Sequence, residues 1–342
     1  SSERINPVSI TRPQWLVWIL VVLLVYLLLV GVSVVGAGFK WISGGADGAE
    51  AIFAFAGNPL AGGILGTLAT ALVQSSSTVT SVIVCLVAGG VPVSLAVPMI
   101  MGANMGTTIT NTIVSLGNLR EDGAFNKSFQ AATVHDFFNL YSIVIFLPIE
   151  IMFHPLEKLG GVTAAWLVDG EGASMKSANF VGAVTKPVAT TMVDTLRMLP
   201  DTLGAGLAIV IGIAMIMCSV LYLGKLLRSV MTGRAREWIE KAIGRRPETG
   251  VLSGTVVTVL VQSSSTTTSL IVPLAGAGVV TTKQVFPFTM GANIGTCITA
   301  LLAATSITGA YEVVALQIAL VHFFYNVLGA VSYTHLRAHE TF

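Results

Sequence analysis

The chain has 342 residues, of which 54% are hydrophobic and only 10% are charged, and its formal net charge is +1. Soluble domains carry roughly 25% charged residues, so this composition excludes an ordinary soluble protein and indicates an integral membrane protein. The near-neutral balance also gives no reason to expect nucleic acid as a partner.

The first predicted element is a transmembrane helix from about Gln14 to Phe39. Its apolar run is longer than a signal-peptide core, and aromatic and basic residues typical of a membrane boundary follow it. We therefore assign residues 1–48 to an N-terminal tail and a first span. A stretch from Ala51 to Leu119 then contains no Asp, Glu, Lys or Arg.

Two apolar segments repeat each other at an offset of 188 residues. The stretch "PLAGGILGTLATALVQSSSTVTS" begins at Pro59, "PETGVLSGTVVTVLVQSSSTTTS" begins at Pro247, and 14 of their 23 positions are identical. Farther along, "MGANMGTTIT" in the first half corresponds to "MGANIGTCIT" in the second, and "HDFFN" corresponds to "HFFYN". We interpret these segments as parts of two structural repeats.

Three further spans separate the copies, predicted near Ser94–Asn118, Ser128–Met152 and Gly204–Gly224. An odd number of crossings makes the second copy enter the membrane from the opposite side, as in secondary transporters. The predicted fold is an all-α polytopic membrane protein with two inverted-topology repeats. Each repeat is expected to contain a re-entrant helical hairpin (QSSS) followed by a broken transmembrane helix (GANxGT).

The remaining boundaries follow from charge and polarity. Residues 49–154 form repeat 1, 155–203 an external loop with an interfacial segment, 204–246 a connecting helix with a basic amphipathic helix, and 247–331 repeat 2. Residues 332–342 turn abruptly polar and are interpreted as a non-native tail.

Seven Lys or Arg residues lie within residues 225–246. The positive-inside rule places this segment and the N-terminus in the cytoplasm of a multi-pass protein of the plasma (inner) membrane.

Each QSSST motif places five consecutive hydrogen-bonding side chains at membrane depth. Backbone that departs from a helix there must be buried in protein or line a water-filled cavity, so the motif predicts a helix break that exposes hydroxyls and helix-end amides. In the first GAN motif four polar residues share one helical face: Asn104, Thr107, Thr108 and Asn111. The second copy keeps Asn293 and Thr296 but has Cys297 and Ala300 at the other two positions.

These polar side chains are uncharged. Neutral oxygens suit an alkali cation such as Na⁺, whereas hydroxyl donors and helix N-terminal N–H groups suit an oxyanion. Because neither motif contains Arg or Lys, a buried anion needs a bound cation to compensate its charge. Such mutual dependence predicts coupled transport of the two ions, although Ser and Thr at membrane helix interfaces also pack with only modest hydrogen bonds.

Two histidine–asparagine pairs lie four residues apart on one helical face: His135 with Asn139, and His322 with Asn326. Asp136 has no equivalent in the second copy, where Phe323 stands. Ionisable residues inside a membrane are functional candidates, and we favour support of the fold or of a polar motif over direct substrate contact. The three cysteines lie in apolar segments and are expected to be packed thiols.

The segments "VQSSSTVTS", "PMIMGANMGTTITNTIVSL", "ATVHDFFN" and "LQIALVHFFYN" closely resemble the type II sodium-dependent phosphate cotransporters, in particular their bacterial branch. The resemblance implies an alternating-access symporter that imports inorganic phosphate with Na⁺, has no organic cofactor and contacts membrane lipid. By motif, the resemblance implies that the QSSST segments of both halves line a shared site for Na⁺ and phosphate. From the chemistry of the side chains we assign to phosphate the hydroxyl residues Ser75, Ser76, Ser77, Thr78, Ser263, Ser264, Ser265 and Thr266. On the same chemical ground we assign to Na⁺ the oxygens of Gln74, Asn104, Thr107, Thr108, Asn111, Gln262, Asn293 and Thr296.

Two alternatives remain. A passive ion or solute channel shares the polar motifs. An intramembrane hydrolase that uses a QSSST serine with His135 fits poorly. Catalysis needs one nucleophile, whereas this motif contains three serines and occurs twice. We therefore expect a transporter rather than an enzyme.

Overall fold

The computed structural model describes residues 13–108, 112, 124–169, 179–231, 246–276 and 278–339, and every regular element in them is helical. This confirms the all-α prediction. The helices are α1 (Gln14–Ser43), α2 (Ala46–Ile52), a 3-10 turn (Ala54–Gly57), α3 (Pro59–Val73), α4 (Ser76–Ala88), α5 (Val93–Gly106), α6 (Ala124–Phe153), α7 (Pro155–Asp169), α8 (Asn179–Leu196), α9 (Asp201–Met231), α10 (Pro247–Val261), α11 (Ser264–Gly276), α12 (Thr282–Thr305) and α13 (Glu312–His339).

Within the described residues, five helices are long and apolar enough to cross a membrane: Trp15–Ser43, Asn126–Phe153, Asp201–Leu226, Thr282–Thr305 and Glu312–Ser332. The protein is therefore a polytopic membrane protein, as the composition predicted. The span predicted near Ser94–Asn118 is represented by α5, and most of its second half lies outside the described residues.

Each QSSST motif joins two short helices. The first helix of each pair has 15 residues and the second has 13, which correspond to about 22 and 20 Å of helix against a hydrocarbon core of about 30 Å. The break falls at Gln74 and Gln262, whose φ angles of 57° and 55° are left-handed. Neither helix of a pair is long enough to span a bilayer alone.

The second GAN motif does not break its helix as the sequence predicted, whereas α5 ends inside the first GAN motif. α12 continues without interruption from Thr282 to Thr305 through the second motif. In the first motif α5 ends at Gly106 and Thr107 is a turn residue. A Cβ on Gly102 would lie 1.9 Å from the carbonyl oxygen of Gly63, and one on Gly291 would lie 1.9 Å from that of Val251. These glycines therefore allow α3 against α5, and α10 against α12, to approach closely.

The segment predicted as an external loop is largely helical. α7 packs against α13, and α8 packs against α1 and α9. The helix at the C-terminal end, α13, continues into the predicted tail as far as His339. Most of the basic segment 225–246 lies outside the described residues, so its amphipathic helix and its cytoplasmic location stay predictions.

The two repeats pack against each other through helices of both. α4 of the first repeat lies against α12 and α13 of the second, while α11 of the second repeat lies against α6 of the first. The second helix of each QSSST pair thus contacts the opposite repeat. The same interface carries the hydrogen bonds that join the histidine–asparagine pairs to the GAN motifs of the opposite repeat.

Candidate functional site

The first serine of each QSSST motif directly precedes a helix and caps its N-terminus. Ser75 Oγ accepts a hydrogen bond from the backbone N–H of Thr78 at 3.2 Å, and Ser263 Oγ accepts one from Thr266 at 3.1 Å. The preceding glutamine ends the other helix in the left-handed conformation. The helix break therefore requires part of this polar run, because a side-chain oxygen must accept hydrogen bonds from the exposed N–H groups of the next helix.

The N-termini of α4 and α11 combine hydroxyls with helix-end amides. Ser76, Ser77 and Thr78 are buried in the first copy, as are Ser264 and Ser265 in the second, whereas Thr266 is half-buried. A helix N-terminus carries partial positive charge and outward-pointing N–H groups. Both motifs are therefore suited to hold an anion without a basic side chain.

The two glutamines differ in their surroundings. Gln262 is buried, and its Oε1 accepts a hydrogen bond from Thr299 Oγ1 at 2.9 Å. Gln74 is exposed and its Nε2 donates to the carbonyl of Ala71. Thr299 was not predicted from the sequence, although its position three residues after Thr296 places both on nearly the same face of α12. Its counterpart Thr110 lies outside the described residues.

A first buried amide network connects α6 with α12. His135 Nε2 lies 2.8 Å from Asn293 Oδ1, and Asn293 Nδ2 donates to Asn139 Oδ1 at 2.7 Å. His135 Nε2 also lies 3.2 Å from Asn139 Nδ2, so this nitrogen contacts both amides. The histidine–asparagine pair of the first repeat thus fixes both ends of the second repeat's motif asparagine.

A second network has the same arrangement with the roles of the two repeats interchanged. His322 Nε2 lies 3.1 Å from Asn104 Oδ1, and Asn104 Nδ2 donates to Asn326 Oδ1. Asn139 Nδ2 also donates to the backbone carbonyl of Asn104 at 3.2 Å, which joins the two networks. All six side chains are at most 3% exposed. The four supporting residues therefore hold the motif asparagines of the opposite repeat, a role that the sequence analysis favoured over direct substrate contact.

The threonines of the GAN motifs bond to their own helices. Thr107, Thr108 and Thr296 are buried, and their hydroxyls donate to the carbonyls of Ala103, Met105 and Ala292 respectively. A hydroxyl oxygen that donates its proton retains lone pairs for a cation. Asn111 lies outside the described residues.

Asp136 receives a hydrogen bond from Thr112 Oγ1 at 2.7 Å on one carboxylate oxygen, while the other, Oδ1, is buried without a partner among the described residues. Cys85 and Cys297 are buried free thiols, in agreement with the sequence, whereas Cys218 is exposed.

The recurring elements of this site coincide with the segments that known proteins share. A family profile described as Na+/Pi-cotransporter matches residues 27–165 and 215–336, which contain both QSSST motifs, both GAN motifs and both histidine–asparagine pairs. No solved structure matches.

The curated relatives cover most of this chain. Sodium-dependent phosphate transport protein 2A of Rattus norvegicus is 33% identical over 373 residues, covering 89% of this chain and 58% of that protein. Sodium-dependent phosphate transport protein 2B of Homo sapiens is 32% identical over 362 residues, covering 80% and 52%. The chain thus spans a little over half the length of these relatives. The family and its named members are transporters, not enzymes, and with a profile that covers most of its residues this chain belongs to the Na+/Pi-cotransporter family.

Proposed function

We propose that this protein is a secondary active symporter that imports inorganic phosphate together with Na⁺. The observation that carries the proposal is the pair of QSSST helix N-termini, which present buried hydroxyls and amides to an anion but contain no basic residue. A phosphate bound there requires a cation beside it. The names of the relatives, which are sodium-dependent phosphate transport proteins, agree with this pairing.

Phosphate is assigned to the eight hydroxyl residues of the QSSST motifs, and Na⁺ to neighbouring oxygens. Asn104 and Asn293 already have partners for both ends of their amide groups. In this arrangement the hydroxyl oxygens of Thr107, Thr108 and Thr296 carry lone pairs for Na⁺ more readily than the asparagines do. The asparagines would join the cation only after their hydrogen bonds rearrange.

Inverted topology and alternating access belong to the proposal, and two sets of contacts locate the QSSST helix pairs along α1 and α9. Trp41 donates to Asp201, at the start of α9, and a Cβ on Gly89 at the end of α4 would lie 2.5 Å from the ring of Phe39. Toward the other end of α9, a Cβ on Gly224 would lie 2.6 Å from the carbonyl of Val261, at the end of α10. The C-terminal end of α4 therefore lies near the start of α9, and the break between α10 and α11 lies toward its other end.

Uptake by reconstituted vesicles tests the proposal. Labelled phosphate should accumulate above its equilibrium level when an inward Na⁺ gradient is imposed, and it should not accumulate when choline replaces Na⁺. Uptake that follows the phosphate gradient alone would indicate a channel, and equal uptake in choline would exclude Na⁺ coupling.

Replacing Gln262 by glycine separates its backbone role from its side-chain role. Glycine adopts the left-handed conformation without strain, so the helix break is retained while the amide oxygen is lost. We expect the Na⁺ concentration for half-maximal uptake to rise about fivefold, roughly 1 kcal/mol of binding. Gln262→Asn, which also tolerates this conformation, should lie between Gln262→Gly and the wild type. Unchanged Na⁺ dependence in Gln262→Gly would remove Gln262 from the Na⁺ site.

A further inference from the structure

A cavity of about 340 Å³ lies apart from the QSSST motifs, between α1, α8 and the segment that follows α12. Its charged lining residues are Lys40, Lys186, Asp194 and Arg197. We refer to it as the α1–α8 cavity. Its basic residues distinguish it from the QSSST and GAN motifs, which contain none.

The α1–α8 cavity is located at the ends of three candidate spans. Lys40 is close to the end of the span Trp15–Ser43, and Arg197 precedes the span that begins at Asp201. Ser306, another lining residue, directly follows the span that ends at Thr305. These ends meet at one membrane boundary, which the predicted orientation places outside the cell.

A continuous helix connects the cavity to the first polar motif. Ala88, the last residue of α4, lines the cavity, and the same helix begins at Ser76 in the QSSST motif. At 1.5 Å per residue the two ends are about 18 Å apart. The cavity is therefore a separate location on the same side of the protein as the outer end of this helix pair.

The charge of the cavity favours an anion. Three cationic side chains and one carboxylate give the lining a net charge of +2. Arg197 lies 3.6 Å from Asp194, whereas the ion pairs of the described residues give Lys40 and Lys186 no carboxylate partner. Lys40 Nζ lies 5.1 Å from the centre of the Tyr311 ring, which holds this ammonium group at the cavity edge without neutralising it.

A hydrogen-bonding group in the wall also lacks a partner. Thr308 lines the cavity, and its Oγ1 is shielded from solvent and has no hydrogen-bond partner among the described residues. Buried polar groups without partners are rare because they cost free energy. A hydroxyl that can donate beside a cluster of cations is a combination that tetrahedral oxyanions use.

We propose that the α1–α8 cavity is a second oxyanion site, which binds inorganic phosphate at the membrane boundary before it reaches the QSSST motifs. This inference rests on the proposed transport function. Basic residues outside the transport site increase the local phosphate concentration by long-range attraction. Their absence from the transport site keeps phosphate dependent on Na⁺ there, so recruitment and coupling are handled by different groups.

Salt dependence of uptake kinetics tests the proposal. The double variant Lys186→Gln/Arg197→Gln should raise the KM for phosphate about fivefold at an ionic strength of about 0.01 M, where the Debye length is about 30 Å. The difference should largely vanish when choline chloride brings the ionic strength to about 1 M, where that length is about 3 Å. Asp194→Asn is the matched control of opposite sign and should lower the KM at low salt. A KM that the double variant leaves unchanged, or an increase that persists at high salt, would overturn the proposal.

Two further measurements separate the alternatives. A phospholipid headgroup offers the same chemistry as free phosphate, so the variants are compared in vesicles of phosphatidylcholine alone and of phosphatidylcholine with phosphatidylglycerol. An effect confined to the second composition would assign the cavity to lipid and overturn the proposal. Equilibrium binding of labelled phosphate to the protein in detergent without Na⁺ should be weakened by the double variant. This binding result holds even if the wild type shows no Na⁺-driven uptake, so failure of the site and failure of the function are distinguishable.

Discussion

Asn293→Ala is expected to lower the free energy of unfolding by about 2–5 kcal/mol, because it leaves buried groups on His135 and Asn139 unpaired and each costs about 1–3 kcal/mol. Thermal unfolding in detergent should show a melting temperature lower by about 5 °C. Na⁺-driven phosphate uptake should also fall at least tenfold per folded molecule, roughly 1.4 kcal/mol of activation or binding free energy, since the motif asparagine borders the proposed ion site.

A double-mutant cycle measures whether a histidine and the asparagine that it contacts in the opposite repeat are energetically coupled. His135→Ala and Asn293→Ala should be coupled by about 1–3 kcal/mol, as expected for residues in one hydrogen-bond network. Asn126→Ala, at an exposed position of the same helix α6, is the matched control and should leave both stability and uptake within experimental error. Additive effects of the two buried substitutions would contradict the direct hydrogen bond between the repeats.

The sequence was sufficient to locate the helix pairs, because their signal is local. A duplicated polar run that interrupts two apolar helices predicts a break, and the structure places the breaks at Gln74 and Gln262. The spacing of His135 from Asn139 likewise predicted a shared face. Local periodicity could not reveal that each pair bonds to an asparagine of the opposite repeat, because that contact joins residues more than 150 positions apart.

The uninterrupted helix at the second GAN motif has a physical explanation. Glycine gives the backbone conformational freedom and also removes the Cβ that would prevent another backbone from approaching. A helix break relies on the first property, whereas at Gly102 and Gly291, which both lie within helices, the structure uses the second. Threonines complete these contacts: Thr67 Oγ1 donates to the carbonyl of Gly102, and Thr255 Oγ1 to that of Gly291, each at 3.0 Å. A glycine with a hydroxyl opposite it in a repeat is thus better interpreted as a helix contact than as a break.

This close approach leads to the second prediction of large effect. Gly102→Ala and Gly291→Ala should each destabilise the protein by about 3 kcal/mol or more, because the added methyl group meets backbone that cannot move without separating the helices. This cost exceeds the gain of about 1 kcal/mol in helix propensity from Gly to Ala. Melting temperatures in detergent measure the difference, and cross-linking of cysteines introduced on α10 and α12 would report whether the helices separate.

Two other glycines in helices provide matched controls. A Cβ on Gly63, in the same interface as Gly102, would make only an ordinary contact of 3.7 Å with the carbonyl of Pro98. A Cβ on Gly206 in α9 would meet nothing within 4 Å, so Gly206→Ala should stabilise the protein by up to about 1 kcal/mol. The expected order of melting temperature is Gly206→Ala, then Gly63→Ala, then Gly102→Ala and Gly291→Ala. If Gly291→Ala melted as high as Gly206→Ala, the glycine would be serving the flexibility of α12 rather than its packing, and the helix break predicted from the sequence would have to be reinstated for another conformation of the transport cycle.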